Sequence, residues 1–345
     1  MEALFLAGDA KAFPYALFTA HTAIKSSSSG KFDTFVAVPE NTIPADWIDW
    51  AERKVGVHVA EFKADGRLRF DKTANEHLPT SASYRYFFDE FLPQKYRRLI
   101  YLDSDFRVRG DLAPLFKLNL GNDHFAAVAD GCVTGLSGDP TSTNPWIQNY
   151  QDKLGWRKGD VYANTGLLLI DRTKWCDLDF NRRIIETWED NFDRCLLVDQ
   201  SALNLNSRGR FTQLSPVWNL FSMFWQGADF YNIVDPVAVH FTGPPKPWEK
   251  NWHHSPAETW RMQFFFRNSP WKSLIRMTET PAERKLYWRT VKRWYLHRLG
   301  LRDKTYWFRY FDADTKVYRQ YVKDTAFADL EQGLVRWKNG ILQAA

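Results

Sequence analysis

Residues 97–116 read RRLIYLDSDFRVRGDLAPLF and contain the clearest single indication of how the chain folds. The apolar run at 99–102 predicts a buried strand, and Asp103 and Asp105 follow where that strand ends. In sheets of parallel strands, ligands bind beyond the carboxyl ends of the strands. The sequence therefore predicts that both carboxylates lie at the rim of a binding crevice.

Short apolar runs alternate with segments of helical periodicity on either side of this stretch. Strands are predicted over ALFLA (3–7), GKFDTFVAVP (30–39), VHVAEF (57–62) and HFAAVAD (124–130). Helices are predicted over FPYALFTAHTAIKSS (13–27), IPADWIDWAERKVG (43–56) and SASYRYFFDEFLP (81–93), the last ended by Pro93. Strands alternating with helices indicate βαβ units and an α/β domain with a mainly parallel sheet.

Three further segments place polar residues next to apolar ones in the middle of the chain. YANTGLLLIDRTKW (162–175) predicts a turn, a buried strand and a helix start. VDQSALNLNSRG (198–209) predicts a helix, and VAVHFTGPPKPW (237–248) predicts a strand followed by a Gly/Pro loop.

The composition is that of a globular protein, with 345 residues, 44% hydrophobic and 25% charged. This length suits one large α/β domain with an appendage, or two small domains. Three cysteines far apart predict neither a zinc site nor a disulfide framework, so we expect a reducing compartment. Residues 1–15 lack the features of a signal peptide, and no apolar window approaches the roughly 18 residues of a transmembrane helix. We therefore expect a cytoplasmic protein.

The basic surplus lies late in the chain, because residues 261–300 hold ten Lys or Arg and only two acidic residues. ERKLYWRTVKRWYLHRLG (283–300) predicts a basic amphipathic helix. We divide the chain into a main domain, 1–255, and a mainly helical, basic and aromatic extension, 256–345. Residues 261–320 either contact an anionic membrane surface or form an extra helical layer on the main domain. Nucleic acid is not an expected partner, because no nucleic-acid-binding motif accompanies the basic residues.

Asp103 and Asp105 can turn both carboxylates towards one cation, and hard oxygen ligands suit Mn²⁺ or Mg²⁺. The alternative is an ordinary turn that caps the strand. His240 ends an apolar strand and precedes a loop that carries Lys246, so an imidazole ligand and a cation for a pyrophosphate are both available. A plain β-turn is the alternative here as well.

The segments YLDSD, YANTGLLLID, VDQSALN and VHFTGPPKPW, in this order, resemble the family 8 glycosyltransferases over about residues 1–250. The resemblance implies retaining enzymes of the GT-A fold, with a Rossmann-like, nucleotide-sugar-binding mixed sheet flanked by helices. It also implies a UDP-glucose or UDP-galactose donor, a Mn²⁺ (or Mg²⁺) ion, and a glycan or glycolipid acceptor. Lipopolysaccharide or another bacterial surface glycan is the expected acceptor, and the enzyme is expected to be peripheral on the inner face of the membrane.

Site residues are carried over by position. The resemblance implies a metal bound by Asp103, Asp105 and His240, and a donor bound by Asp9, Arg85, Ser104, Asn164, Gly243 and Lys246. It places Asp199 and Gln200 in catalysis, with Gln200 beneath the anomeric carbon, and Asp130 and His77 nearer the acceptor. Because an amide is a poor nucleophile, we expect same-face attack rather than a covalent intermediate. Asp199 could alternatively act as a helix N-cap.

Two alternatives remain at this point. Gly8 and Ala10 replace polar residues that the family usually has after its first strand, which is consistent with a weakly active or inactive glycan-binding relative. Haloacid-dehalogenase-type phosphatases also have D-x-D at a strand end. They require Thr or Val where this chain has Arg107, and they carry the motif on the first strand, so this reading is disfavoured.

Overall fold

The computed structural model describes residues 1–28, 32–63, 80–131, 145–156, 160–222, 233–243, 246–249, 252, 256–274, 280–299, 301 and 319–345. The strands are β1 Glu2–Ala7, β2 Asp33–Pro39, β3 His58–Phe62, β4 Arg98–Leu102, β5 Phe106–Val108, β6 Phe125–Ala129, β7 Ala163–Asp171, β8 Thr212–Leu214, β9 Leu220–Phe221, β10 Ala238–His240, β11 Val335–Lys338 and β12 Ile341–Ala344.

Seven of these strands form the central sheet, in the order β3-β2-β1-β4-β7-β6-β8. The neighbours from β3 to β4 run parallel, and β8 runs parallel to β6. Strand β7 is antiparallel to both β4 and β6, so the sheet is mixed, as predicted. A second, three-stranded sheet has the order β5-β10-β9.

The α-helices are α1 Phe13–Ser26, α2 Ala45–Trp50, α3 Phe88–Phe91, α4 Pro145–Leu154, α5 Arg172–Asp177, α6 Phe180–Asp190, α7 Val198–Ser207, α8 Pro256–Arg267, α9 Pro281–Arg298 and a short helix Ala328–Glu331. A π-helical turn, Ala51–Val55, continues α2, and 3₁₀ helices span Thr80–Phe87, Ala113–Lys117 and Lys272–Leu274. Residues 319–324 are also helical.

Both faces of the central sheet are covered, which explains why its strands are continuous apolar runs. Successive side chains of a strand point to opposite faces. Leu4 and Ile100 therefore join one apolar cluster, together with Leu17 of α1, whereas Phe5 and Tyr101 join the other. The predicted α/β class follows directly from this two-sided burial.

The predicted helix over 81–93 is wound differently from the expectation. Most of it is a 3₁₀ helix, Thr80–Phe87, followed by a single α-helical turn, Phe88–Phe91. Runs of 3₁₀ helix this long are uncommon. The run buries Arg85 and Tyr86, whose polar groups contact Thr165 and Asp199 on β7 and α7. These tertiary contacts, rather than helical propensity, set the winding.

The residues after 255 share the core of the central sheet. Met262 and Phe266 of α8, together with Val322, Phe327 and Leu342, belong to the same apolar cluster as β1 and β4. The described part of this extension is mainly helical, as predicted, but it ends in an antiparallel hairpin of β11 and β12.

The hairpin was not predicted, although a local signal for it exists. Asn339 and Gly340 form its two-residue turn, with φ of 52° and 75°. Asn-Gly is the preferred pair for such turns, because both central residues need positive φ. Residues 302–318 lie outside the described residues, and they include part of the predicted surface segment 261–320.

Candidate functional site

The central sheet and the three-stranded sheet together bring Asp103, Asp105 and His240 to one place. Asp103 and Asp105 lie on the turn between β4 and β5, and His240 ends β10. Antiparallel pairing sets His240 opposite Phe106, one residue after Asp105. The His240 Nε2 atom lies 3.1 Å from Asp105 Oδ1 and 3.7 Å from Asp103 Oδ2. One ligand atom from each of the three residues lies within 4.8 Å of the others.

This donor set fits a divalent cation. Two carboxylates and an imidazole are ligands that Mn²⁺ accepts well, and Mg²⁺ accepts the carboxylates. Lys246 lies against the same group, with its Nζ atom 2.5 Å from Asp105 Oδ2 and 2.5 Å from the Phe241 carbonyl oxygen. Burial raises the pKa of Asp105, but the charges of Lys246 and His240 outweigh it and hold the pKa well below its usual range. Asp105 is therefore ionised at neutral pH.

The ring of His240 is held in one orientation. It stacks on Phe106 with ring centroids 4.2 Å apart, and its Nδ1 atom lies 3.1 Å from Asn219 Oδ1. An amide oxygen can only accept, so Nδ1 carries a proton, and Nε2 faces the carboxylates, where it could bind a cation once unprotonated. A Cβ on Gly166 would lie 2.2 Å from His240 Cε1, so only glycine leaves room for this ring.

Arg85 is buried between two carboxylates. Its guanidinium lies 3.0 Å from Asp103 Oδ1 and 3.2 Å from Asp199 Oδ2. It also donates to the carbonyl oxygens of Ala82 and Thr165, both at 2.6 Å. Burial lowers the pKa of Arg85, but Asp103 and its other neighbours raise it well above the ordinary value. Arg85 therefore links the predicted metal site to α7.

Asp199 does not cap its helix. Leu197 occupies the N-cap position of α7 and makes no side-chain cap bond, whereas Asp199 pairs with Arg85 and accepts from the Tyr86 hydroxyl at 3.3 Å. Burial raises the pKa of Asp199 and outweighs the opposite effect of Arg85. Val198 has φ of 46°, a left-handed conformation that is rare for a β-branched residue and that clusters at functional sites.

Gln200, Asn164 and Asp130 form an amide and carboxylate network beside this pair. Gln200 Nε2 and Asn164 Nδ2 both donate to Asp130 Oδ2 at 3.0 Å. The Gln200 Oε1 atom accepts from Asn164 Nδ2 at 3.2 Å and from the Thr165 amide at 3.1 Å. Asn219 Nδ2 donates to Asn164 Oδ1 at 2.9 Å, so the network continues to His240.

Residues 9–252, more than half of the chain, match the family model described as glycosyl transferase family 8. This protein is a family 8 glycosyltransferase. Glycosyltransferase 8 domain-containing protein 2 of Mus musculus is 22% identical over 272 residues, covering 71% of this chain and 78% of the relative. GlyF of Streptococcus pneumoniae is 24% identical over 270 residues, covering 75% and 60%.

Solved structures share the GT-A fold with this transferase. The galactosyltransferase LgtC, solved with donor and acceptor sugar analogs, superposes with a TM-score of 0.63 at 23% identity. That superposition covers 81% of this chain and 98% of LgtC. The glycosyltransferase GlyE of Streptococcus pneumoniae superposes with a TM-score of 0.55 at 21% identity, covering 80% of this chain and 63% of GlyE.

Asp9 lies in the turn before α1 in this family 8 member. Its Oδ1 atom accepts from the amides of Lys11 and Ala12, both at 2.9 Å, and its Oδ2 atom accepts from the Ser81 hydroxyl at 3.0 Å. A Cβ on Gly8 would lie 3.0 Å from Ala12 Cβ, tighter than ordinary contact. The missing side chain at Gly8 therefore has a packing reason.

The remaining predicted residues have separate outcomes. Ser104 lies between the two aspartates, and its carbonyl oxygen accepts from the Thr19 hydroxyl of α1 at 2.8 Å. Gly243, in the loop after β10, has φ of 67°, which favours glycine. His77 lies outside the described residues.

Sequence reasoning missed three residues that shape the transferase's site: Asn219, Gly166 and Val198. Asn219 is a buried polar residue within the apolar run VWNLF, 217–221, and this interruption was its only signal. Buried amides need partners, so such an interruption indicates a hydrogen-bond network, although not which one. Gly166 and Val198 have no local signal beyond their neighbours' motifs.

Asn219→Ala tests whether the cluster binds a divalent ion: it is expected to weaken Mn²⁺ binding by about 10–100-fold, the usual effect of losing a partner that orients a histidine ligand. The variant would remove the acceptor that holds the His240 Nδ1 proton. The measurement is the Mn²⁺ concentration that half-saturates the site. Asn206→Ala is the control, because Asn206 bonds to Thr187 and the backbone of α6 and α7, outside the site. An unchanged Mn²⁺ requirement would show that Asn219 does not orient His240.

Proposed function

We propose that this transferase is a metal-dependent, retaining hexosyltransferase. It moves galactose or glucose from a UDP-sugar to a glycan acceptor, with lipopolysaccharide or another bacterial surface glycan as the expected acceptor. The observation that carries the proposal is the cluster of Asp103, Asp105 and His240, with the Lys246 ammonium beside it. Three ligands for a divalent ion and a cation for phosphate are the requirements of a nucleoside diphosphate site.

Asp103, Asp105 and His240 would hold Mn²⁺ or Mg²⁺ in this proposal. The bound ion would supply Lewis-acid stabilisation of the negative charge on the diphosphate. The Lys246 ammonium would contact a phosphate oxygen, because it already faces the cluster from the loop after β10. A positive φ at Gly243 lets the same loop turn back towards the phosphates.

The donor sugar would be bound on the other side of the cluster. Arg85 is fixed by four partners, so it presents a rigid cation between Asp103 and Asp199. Asn164 contributes its amide beside Gln200. Asp9 and Ser104 belong to the same proposed donor site, at the ends of β1 and β4.

The reaction is proposed to proceed on one face of the sugar. The bond from the anomeric carbon to the diphosphate oxygen breaks, and a bond from the acceptor hydroxyl oxygen forms on the same face. The acceptor proton passes to an oxygen of the departing UDP, so atoms and charges balance. Gln200 is neutral and its carbonyl oxygen already accepts from Asn164 and Thr165, which favours electrostatic support of the anomeric carbon over nucleophilic attack.

Asp130 and His77 are proposed to contact the acceptor. The Asp130 Oδ2 atom is held by the amides of Gln200 and Asn164, so the carboxylate has a defined position next to the proposed reacting centre. A glycan hydroxyl can donate to such a carboxylate.

Calorimetric titration of UDP with and without Mn²⁺ tests the donor proposal. We expect saturable binding that requires the metal and that ADP and GDP do not reproduce. Metal-dependent binding of another nucleotide would contradict UDP specificity, and no binding at all would contradict the nucleotide site. Slow hydrolysis of UDP-galactose or UDP-glucose would then separate an active transferase from a glycan-binding relative that has lost turnover.

We also propose cytoplasmic placement with peripheral attachment to an anionic membrane surface through residues 261–320. None of the helices that the structure describes combines the length and apolarity needed to cross a bilayer. Support for surface attachment comes from α9, which exposes four cations, Arg284, Lys285, Arg289 and Lys292, beside exposed Trp288. Anionic lipid attracts such residues by roughly 1 kcal/mol each.

Replacing those four cations with glutamine is therefore expected to reduce cosedimentation with phosphatidylglycerol vesicles by more than about tenfold. Truncation near residue 260 is a poorer test, because Phe266 and Leu342 belong to the catalytic core. The combined changes Lys117→Gln, Lys153→Gln, Arg336→Gln and Lys338→Gln control for net charge, because they remove four exposed cations outside α9. Vesicle binding that survives the quadruple change would show that α9 is not the attachment surface.

A further inference from the structure

A pocket of about 820 Å³ lies outside the proposed catalytic site. Its walls come from α1, the π-helical turn after α2, strand β5 and helix α8, and none of its lining residues belongs to the predicted metal, donor or acceptor set. The volume falls within the range of small-molecule sites, about 300–1,000 Å³. Three of its four walls belong to the family 8 region, so the pocket is not confined to the extension.

The pocket carries a positive charge that the residues described by the structure neutralise only in part. Its four cationic side chains are Lys25, Lys54, Arg107 and Arg261. Glu258 pairs with Arg107 and lies 3.1 Å from Arg261. In the part of the chain that the structure describes, no carboxylate pairs with Lys25 or Lys54, and both side chains are exposed. Burial lowers the pKa of His21 inside the pocket, and the charge of Lys25 lowers it further. Clustered cations with one buried counter-ion favour an anionic ligand.

One wall of the pocket is aromatic and already packed. Phe265 contacts Phe18, with ring centroids 5.6 Å apart, and Trp50 at 6.0 Å, both edge to face. At the mouth, Trp260 is 38% exposed and Phe264 is 70% exposed. Large aromatic side chains gathered at the mouth of a pocket indicate contact with an apolar group.

We propose that this pocket binds one molecule of an anionic amphiphile, a phosphate-headed lipid with an apolar chain. The headgroup would contact Lys25 and Lys54, and also Arg261, which shares the single carboxylate of Glu258 with Arg107. The chain would lie along Phe264 and Trp260 at the mouth. The cations and the aromatic side chains line the same cavity. A free anion would contact only the cations, and an uncharged lipid would contact only the aromatic side chains.

The test is calorimetric titration of the full chain with dihexanoyl phosphatidic acid below its micelle concentration. We expect saturable, one-to-one binding. Dihexanoyl phosphatidylcholine and inorganic phosphate are each expected to bind at least about tenfold more weakly, because each lacks one of the two contacts. Lys25→Ala with Lys54→Ala, and separately Phe264→Ala, are expected to weaken binding at least about tenfold. These side chains are exposed, so the variants should fold, and thermal melting checks this.

The matched control is Trp337→Ala with Arg336→Ala and Lys338→Ala on the hairpin. Trp337 is 39% exposed, close to the 38% of Trp260, and it also lies between cations, but it lines no part of the pocket. An equal loss in this control would show non-specific adsorption and overturn the proposal.

Two further outcomes would also overturn it. Phosphate that binds as tightly as the lipid would show an anion site without a chain contact. Binding to anionic vesicles alone, unaffected by the pocket variants, would show surface adsorption. Because the titration needs neither UDP nor glycosyl transfer, its failure leaves the proposed catalytic function unaffected, and failure of UDP binding leaves this site unaffected.

Discussion

Asp105→Asn is expected to lower glycosyl transfer by about a thousandfold and to remove metal-dependent UDP binding, since a metal contributes several kcal/mol of charge stabilisation. The substitution keeps the shape of the side chain but removes the charge that faces His240 and Lys246. The low pKa of Asp105 means that the carboxylate is the form present at neutral pH. The measurements are turnover of UDP-hexose and calorimetric titration of UDP with Mn²⁺.

Asp111→Asn is the control for this variant. Asp111 follows β5 and accepts from Ser28 and from the Ala113 amide. Its replacement by Asn therefore removes one negative charge, as Asp105→Asn does, but outside the cluster. Activity equal to that of the unmodified chain in Asp105→Asn would rule out the proposed metal site. Parallel losses in Asp111→Asn would instead indicate an effect of net charge.

Arg85→Met is expected to lower the free energy of unfolding by about 3–5 kcal/mol and to abolish transfer. The variant leaves Asp103 and Asp199 without the cation that lies between them, and Asp199 is buried. Arg85→Lys should recover only part of the stability, because a point charge cannot reach two carboxylates and two carbonyls together. Urea unfolding measures the stability, and UDP titration at low temperature measures binding while the variant is folded.

Arg172→Met separates a structural role from a functional one. Arg172 is equally buried and bonds to Asp89 and to the carbonyls of Leu92 and Pro93, away from the proposed site. It should destabilise the chain by a similar amount, about 3–5 kcal/mol, yet bind UDP normally when folded. If both variants bind UDP like the unmodified chain, Arg85 has only a structural role.

Much of the fold could be predicted because the signals are local. Residues 3–7 and 99–102 are short apolar runs, and both are strands of the central sheet. The D-x-D pair follows β4 directly, so its position at the strand end could be predicted from the chain itself. The Asn339-Gly340 turn of the hairpin is an equally local signal.

Other features could not be predicted from local patterns. The 3₁₀ winding of Thr80–Phe87 goes with the burial of Arg85, which depends on carboxylates that arrive from β4 and α7. Asp199 is a residue type that often caps helices, but its carboxylate pairs with Arg85 from another element instead. Propensity describes one segment at a time, and these outcomes depend on contacts between segments.

The sequence by itself determined which segments become strands and helices, and which polar residues follow them, because side-chain periodicity and turn chemistry act over a few residues. Only the tertiary structure decided which of these polar residues meet. The pairing of β10 with β5 brings His240 to Asp105. Asn219, the residue directly before β9, orients the His240 ring. Strand pairing and the matching of buried charges join residues far apart in the chain. These contacts therefore depend on burial and strand register rather than on local sequence.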